Sequence, residues 1–229
     1  MNSSRSAQRA AGVHYRIAAL RTQPADRGHG VQRQPRPGRI RVLVVDDHPA
    51  VRWGLVQLLS EQPDLHVAAT ATTAEIALAQ AEHQDIDVAI VDYCLGGRNG
   101  LWVARKLKAR THPPRVLIFS AYANDHLAAS CAVAGADALL SKSSLGDDVC
   151  HAIRSVWRGR RMIPRVHHAT TGALRDRLDD DRERMILGML LAGITEEQIA
   201  RTLRLSAREL AATRADMLTK LEALPARSA

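Results

Sequence analysis

Between residues 39 and 161 the apolar positions switch repeatedly between two patterns. Short runs at Ile40–Val45, Leu65–Ala69, Val88–Val91, Val116–Phe119 and Ala138–Leu140 are too short for buried helices, and several are β-branched, so they predict strands. Stretches near 50–61, 73–83, 99–109, 124–134 and 144–158 instead show the spacing of helices with one apolar face. Strands alternating with helices predict an α/β domain whose parallel sheet is covered on both faces, because parallel neighbours need helical crossovers. In such sheets ligands bind beyond the carboxyl ends of the strands.

The pattern changes after Arg161. Residues 159–177 contain Arg, Pro and Thr with weak periodicity and are expected to form a linker. Three helical segments follow at about 179–192, 195–203 and 206–221, with Thr195 and Ser206 placed as N-caps. These predict a small all-α domain over 178–224, after an α/β domain over 39–158. Residues 1–38 are rich in Ser, Arg, Gln, Gly and Pro, a composition that cannot bury enough surface to fold alone, and a disordered basic tail is expected there.

The net charge of +8 suggests a polyanionic partner, and its location qualifies that suggestion. Residues 1–40 hold eight arginines and one acid; residues 41–161 hold thirteen bases and thirteen acids; residues 162–229 hold eleven and ten. Nearly all the excess therefore lies in the tail. Cys94, Cys131 and Cys150 are far apart with no CxxC pair, which supplies neither a disulfide framework nor a zinc site and fits a reducing cytoplasm. No apolar run approaches the roughly 18 residues of a membrane span, so no membrane partner is expected. His167-His168 has no third ligand nearby and reads as a solvated pair.

The strand ends carry the chemistry. Asp46 and Asp47 close the first strand, Asp92 the third and Ser120 the fourth, and Lys142 follows the fifth, so all five are expected on one rim. Crowded carboxylates repel unless a cation neutralises them, and an oxygen-only donor set suits Mg²⁺. A hydroxyl and an ammonium opposite such a cation would hold the oxygens of a tetrahedral anion, as phosphoryl transfer requires. The nucleophile must be one of the carboxylates.

Val-Val-Asp46-Asp47-His48-Pro49, Asp92 followed eight residues on by Gly100, Phe119-Ser120-Ala121, and Ala134-Gly135-Ala136-Asp137 leading to Lys142 together resemble the receiver domain of bacterial two-component response regulators over about residues 40–158. The resemblance implies a flavodoxin-like five-stranded parallel sheet in which Asp92 accepts phosphate from a sensor histidine kinase. It also implies that Asp47, Asp92 and the Cys94 backbone carbonyl hold Mg²⁺, with Asp46 supporting the metal through water, and that Ser120 and Lys142 bind the phosphoryl oxygens. His48 receives no role. Where the family usually has Met-Pro after the phosphoacceptor this chain has Leu95-Gly96, which loosens the metal loop; Leu139 stands where the family has its switch aromatic, and Tyr122 is not at the matching position.

Residues 178–221, from Ile186-Leu187-Gly188-Met189-Leu190-Leu191 through Ile194-Thr195-Glu196-Glu197-Gln198-Ile199-Ala200 to Met217-Leu218-Thr219-Lys220-Leu221, are similar to the LuxR-type helix-turn-helix. Ile186, Leu190, Ile199, Leu203, Leu210 and Leu218 are expected to form its core, leaving helix 206–221 for a major groove. Arg201, Arg204, Arg208, Arg214 and Lys220 are the candidate DNA contacts. Glu196, Glu197 and Glu209 stand where an acid would repel phosphate, and Glu209-Leu210-Ala211 replaces the usual Thr-Val-Lys. The family's fourth, pairing helix would begin after Leu221, where Glu222–Ala229 contains Pro225, so pairing of these domains through that helix is not expected.

The leading expectation is a phosphorylation-controlled transcription regulator that binds DNA and pairs, as homodimer or heterodimer, through its receiver face at 124–158. The alternative is a signalling adaptor, or heterodimer partner, whose divergent C-terminal helices bind protein rather than DNA alone. No enzyme activity beyond self-dephosphorylation at Asp92 is expected.

Overall fold

A computed structural model describes residues 38–222. The expected disordered tail, apart from Gly38, and the last residues of the 178–224 segment lie outside the described residues. Five strands, β1 (Ile40–Val45), β2 (Leu65–Ala71), β3 (Val88–Asp92), β4 (Arg115–Ser120) and β5 (Ala138–Ser141), form one sheet in the order β2-β1-β3-β4-β5. Every pairing is parallel. The order reverses between β1 and β3, and this switch point opens a crevice at the strands' carboxyl ends.

Five helices cover the sheet: α1 (Pro49–Ser60), α2 (Ala74–His83), α3 (Gly100–Lys108), α4 (Asp125–Ala134) and α5 (Gly146–Trp157). Alternation along β1 divides two cores. Val42 and Val44 join Leu55, Leu59, Ile153 and Val156 under α1 and α5, while Leu43 and Val45 join Ala77, Leu101, Leu107 and Val133 under α2, α3 and α4. Helix starts follow local chemistry: Pro49 opens α1, and Thr73, Asn99 and Asn124 accept bonds from Ile76 N, Trp102 N and Leu127 N respectively.

Four helices follow, α6 (His168–Arg175), α7 (Asp181–Leu191), α8 (Glu196–Leu203) and α9 (Ala207–Glu222). Asp180 caps α7, and Thr195 with Gln198 forms a capping box on α8. The expected linker at 159–177 is more structured than its periodicity suggested. Met162 bridges to Ala138 and donates its N–H to Asp137 O at 2.7 Å, and α6 buries Leu174 fully. A two-turn helix held by one buried leucine is too short to register as a period.

The C-terminal helices do not form a separate core. Leu174, Leu187, Leu190, Leu210, Met217 and Leu221 belong to the same contiguous apolar cluster as Leu127, Cys131 and Val133 of α4. Truncating Met217 to alanine should cost about 2–5 kcal/mol by the usual cost of a buried cavity, and chemical denaturation of the full chain checks it.

Candidate functional site

The two central strands bring the acidic residues together. Asp46 leaves β1 with its N–H bonded to Ala71 O at 3.1 Å, and its side chain is 1% exposed, accepting the His48 N–H at 2.9 Å. Asp92 ends β3, is 2% exposed, and accepts the Cys94 N–H at 3.2 Å. Lys142 Nζ lies 2.8 Å from Asp46 Oδ2 and 2.8 Å from Asp92 Oδ2. Its backbone N–H donates to Ser120 O at 2.8 Å, which ties the turn after β5 to the end of β4. Ser120 is buried, and its Oγ accepts the Tyr122 N–H at 3.0 Å. Asp46, Asp47, Asp92, Ser120 and Lys142 thus occupy the shared rim expected of them.

Asp46 Oδ2, Asp47 Oδ1 and Asp92 Oδ2 are buried without a well-directed hydrogen bond. The first and third rest against the lysine ammonium, and the second lies 2.8 Å from His48 Nδ1. Burial, with the Asp46 charge adding to it, holds the Asp92 carboxyl above the ordinary aspartate range against the opposing pull of Lys142. Burial works against the charge on Lys142, yet its close contacts with the Asp46 and Asp92 carboxylates outweigh it and raise the ammonium above the usual lysine value. One donor atom from each of Asp46, Asp47, His48 and Asp92 falls within a span of 4.8 Å. Oxygen-rich donors, three of them lacking directed bonds, fit a hard divalent cation.

Two participants had no assigned chemistry in the sequence. His48 is exposed, yet its Nδ1 also stands 3.4 Å from Asp46 Oδ1. Gly100, the first residue of α3, donates its N–H to Tyr93 O at 2.8 Å, and a Cβ there would lie 2.2 Å from Asp92 O. A glycine directly after a capping asparagine was the available signal. Cys94 follows Asp92 in an exposed loop, where partial burial and the Asp92 charge push its thiol up, so it is no ready nucleophile.

The candidate DNA contacts divide. Arg201, Arg204 and Arg208 are exposed. Arg214, expected among them, is turned inward: it is 7% exposed, donates from Nε to Val133 O at 2.7 Å and pairs with Glu196 Oε2 at 2.5 Å. Helical spacing explains this, since Arg214 shares a stripe with the buried Leu210, Met217 and Leu221. Lys220 is held by Asp179 and Glu183, each at 2.6 Å. Two of the acids read as repelling phosphate have other partners. Glu196 neutralises Arg214, and Glu209 accepts from Ser206 N at 2.8 Å and Ser206 Oγ at 2.7 Å, which holds its carboxyl below the ordinary range and closes a capping box on α9.

A doubly wound sheet with an acidic, lysine-bearing rim, joined to a capped three-helix unit, defines a receiver coupled to a helix-turn-helix effector. Comparison with known proteins agrees: the response regulator receiver domain matches residues 42–154, and the bacterial regulatory proteins of the luxR family match residues 181–225. The DNA-binding transcriptional activator DevR/DosR of Mycobacterium tuberculosis is 34% identical over 170 residues, covering 70% of this chain and 78% of that protein. The nitrate/nitrite response regulator NarL of Escherichia coli K12 is 29% identical over 192 residues, covering 79% and 88% respectively. The solved receiver domain of the response regulator NarL from Mycobacterium tuberculosis superposes with a TM-score of 0.52 at 32% identity, covering 54% of this chain and all of that one. The chain belongs to the two-component response regulators with a LuxR-type effector domain. Among the described residues no helix is long and apolar enough to cross a membrane.

Proposed function

We propose that the chain regulates transcription by binding DNA, under control of phosphorylation at Asp92 by a sensor histidine kinase. The observation that carries this is the set of buried carboxylate oxygens without directed bonds beside the Lys142 ammonium. An Asp92 carboxylate oxygen attacks the phosphorus of a phosphohistidine, the P–N bond breaks, and its electron pair leaves with the imidazole. Asp47, Asp92 and the Cys94 carbonyl would hold Mg²⁺, with Asp46 supporting it through water. Bound there, the cation would neutralise charge on the phosphoryl oxygens. Lys142 exchanges its contact with Asp92 for a phosphoryl oxygen, and the Ser120 hydroxyl binds another. Lys142→Ala should still bind Mg²⁺, seen by a rise in Tm, while losing the response of DNA affinity to phosphorylation.

Arg201, Arg204 and Arg208 would supply phosphate or base contacts from α8, the turn after it and α9. Arg204 adopts a left-handed conformation at φ 52, which costs a non-glycine residue about 1 kcal/mol. Arg204→Gly should therefore raise Tm while weakening duplex binding, a divergence that a purely structural arginine would not show.

The reading as a whole is tested by duplex binding of the full chain over a salt series, with and without a small phosphodonor and Mg²⁺. Tighter, sequence-selective binding with the donor is expected. Removing residues 1–38, whose net charge with Arg39 is +7, should flatten the salt slope by up to about 6 without changing sequence preference. Retention of a protein partner with no duplex selectivity under any condition would favour the adaptor reading. Any receiver pairing would use α5 and β5 more than α4, because α4 already contacts α6, α7 and α9.

A further inference from the structure

Helix α4 is buried over all but its first two residues. Every residue from Leu127 to Ala134 is buried, although a helix covering one face of a sheet ordinarily keeps a polar stripe in water. Here the outer side meets α6, α7 and α9, while the inner side meets α3 and β5. The run Ala128-Ala129-Ser130-Cys131-Ala132 is small enough for close approach on both sides.

The carboxyl end of α4 is also shared. Its last-turn carbonyls lack helical partners and carry the negative end of the helix dipole. Arg214 of α9 donates to Val133 O at 2.7 Å. Arg161 bridges the two units, with Nη2 3.5 Å from Ala132 O and Nη1 3.3 Å from Leu190 O. Gly135, at φ +82, leaves room for the guanidinium: a Cβ there would lie 2.7 Å from Arg214 Nη2.

On α9 the residues turned inward are Leu210, Arg214, Met217, Leu218 and Leu221, whereas Arg208, Ala211, Ala212 and Thr219 are exposed. The side of the helix available to a groove is therefore uncovered while α4 is in place. Separating the domains would expose the apolar stripe, strip Arg214 of its carbonyl partner and cost Arg161 one of its two.

We propose that α4 is a core helix common to both domains, so that the helix-turn-helix binds DNA while docked on the receiver and α9 moves with α4 rather than being released from it. This rests on the DNA-binding reading above. Signal from Asp92 then reaches α9 through one shared helix, and α4 is withheld from pairing between receivers.

Hydrogen exchange on the full chain, free and saturated with duplex DNA, tests this. Amides of 127–134 and 210–221 should exchange at a common slow rate, and both should stay slow when DNA is bound. Arg214→Met should accelerate both segments at least tenfold and leave β1 and β3 unchanged; should that variant fail to fold, Glu196→Gln should accelerate the same two segments to a smaller degree. A tenfold or greater acceleration in α4 on DNA binding would overturn the proposal, as would a substitution that loosens α9 alone or neither segment. If no duplex binds under any condition, the transcriptional reading fails, and the paired rates of the free protein still decide whether α4 is shared.

Discussion

Asp92→Asn is expected to abolish phosphoryl incorporation from a small phosphodonor in the presence of Mg²⁺, read as acid-stable mass or radiolabel on the intact chain. Asp92 ends the central strand β3, and the Lys142 ammonium stands 2.8 Å from its Oδ2 and 2.8 Å from Asp46 Oδ2. Amide nitrogen cannot replace the attacking carboxylate oxygen. Undiminished labelling in this variant would move the reaction to another residue. The same substitution should raise Tm when divalent cations are chelated. Burial holds the native carboxyl above its ordinary value, so the native state binds that proton more readily than the unfolded chain does. Metal-free stability therefore falls as pH rises from about 3.9 through the raised native value, and above that value the whole penalty is present. Asparagine removes it. Mg²⁺ should then stabilise the wild type and have little effect on the variant.

Gly100→Ala is expected to be the most damaging single-methyl addition in the receiver. The added Cβ would lie 2.2 Å from Asp92 O and 3.1 Å from Tyr93 Cα, both backbone atoms that cannot swing aside. Either α3 lifts from the sheet or the β3 end moves, and both displace the residue that takes the phosphoryl group. Overpacking of this kind costs about 3 kcal/mol, equivalent to a fall in Tm of about 6–12 °C for a chain of this length. Thermal melting and phosphodonor labelling should fall together. Gly54, with nothing within 4 Å of an added Cβ, is the control, where alanine should be tolerated or slightly stabilising.

The receiver was legible from residues 40–142 because its chemistry is local to the strand ends. Once the alternation of strands and helices is read, parallel connection forces each strand's carboxyl end onto the same rim, and Asp46, Asp47, Asp92, Ser120 and Lys142 follow by position. The helix-turn-helix was legible for a similar reason, since its caps and apolar spacing are short-range. His48 and Gly100 were not assigned, because a contact with a neighbouring carboxylate or carbonyl depends on how two strands and a helix meet.

The amino-acid sequence by itself determined two units, the order of their elements and the acidic rim, since period, caps and strand ends are properties of neighbouring residues. Tertiary structure alone decided what surrounds α4. A run of small residues can cover a sheet with one face or be enclosed by two layers, and nothing in its own spacing distinguishes these. The same holds for Arg214 and Glu196. As isolated letters they are charges on a helix, to be read as attracting or repelling DNA. Only packing shows Arg214 turned to the Val133 carbonyl with Glu196 beside it. Burial turns a charge into a fixed partner because an unpaired ion away from water is too costly to keep, and burial is a property of the assembled layers rather than of the chain.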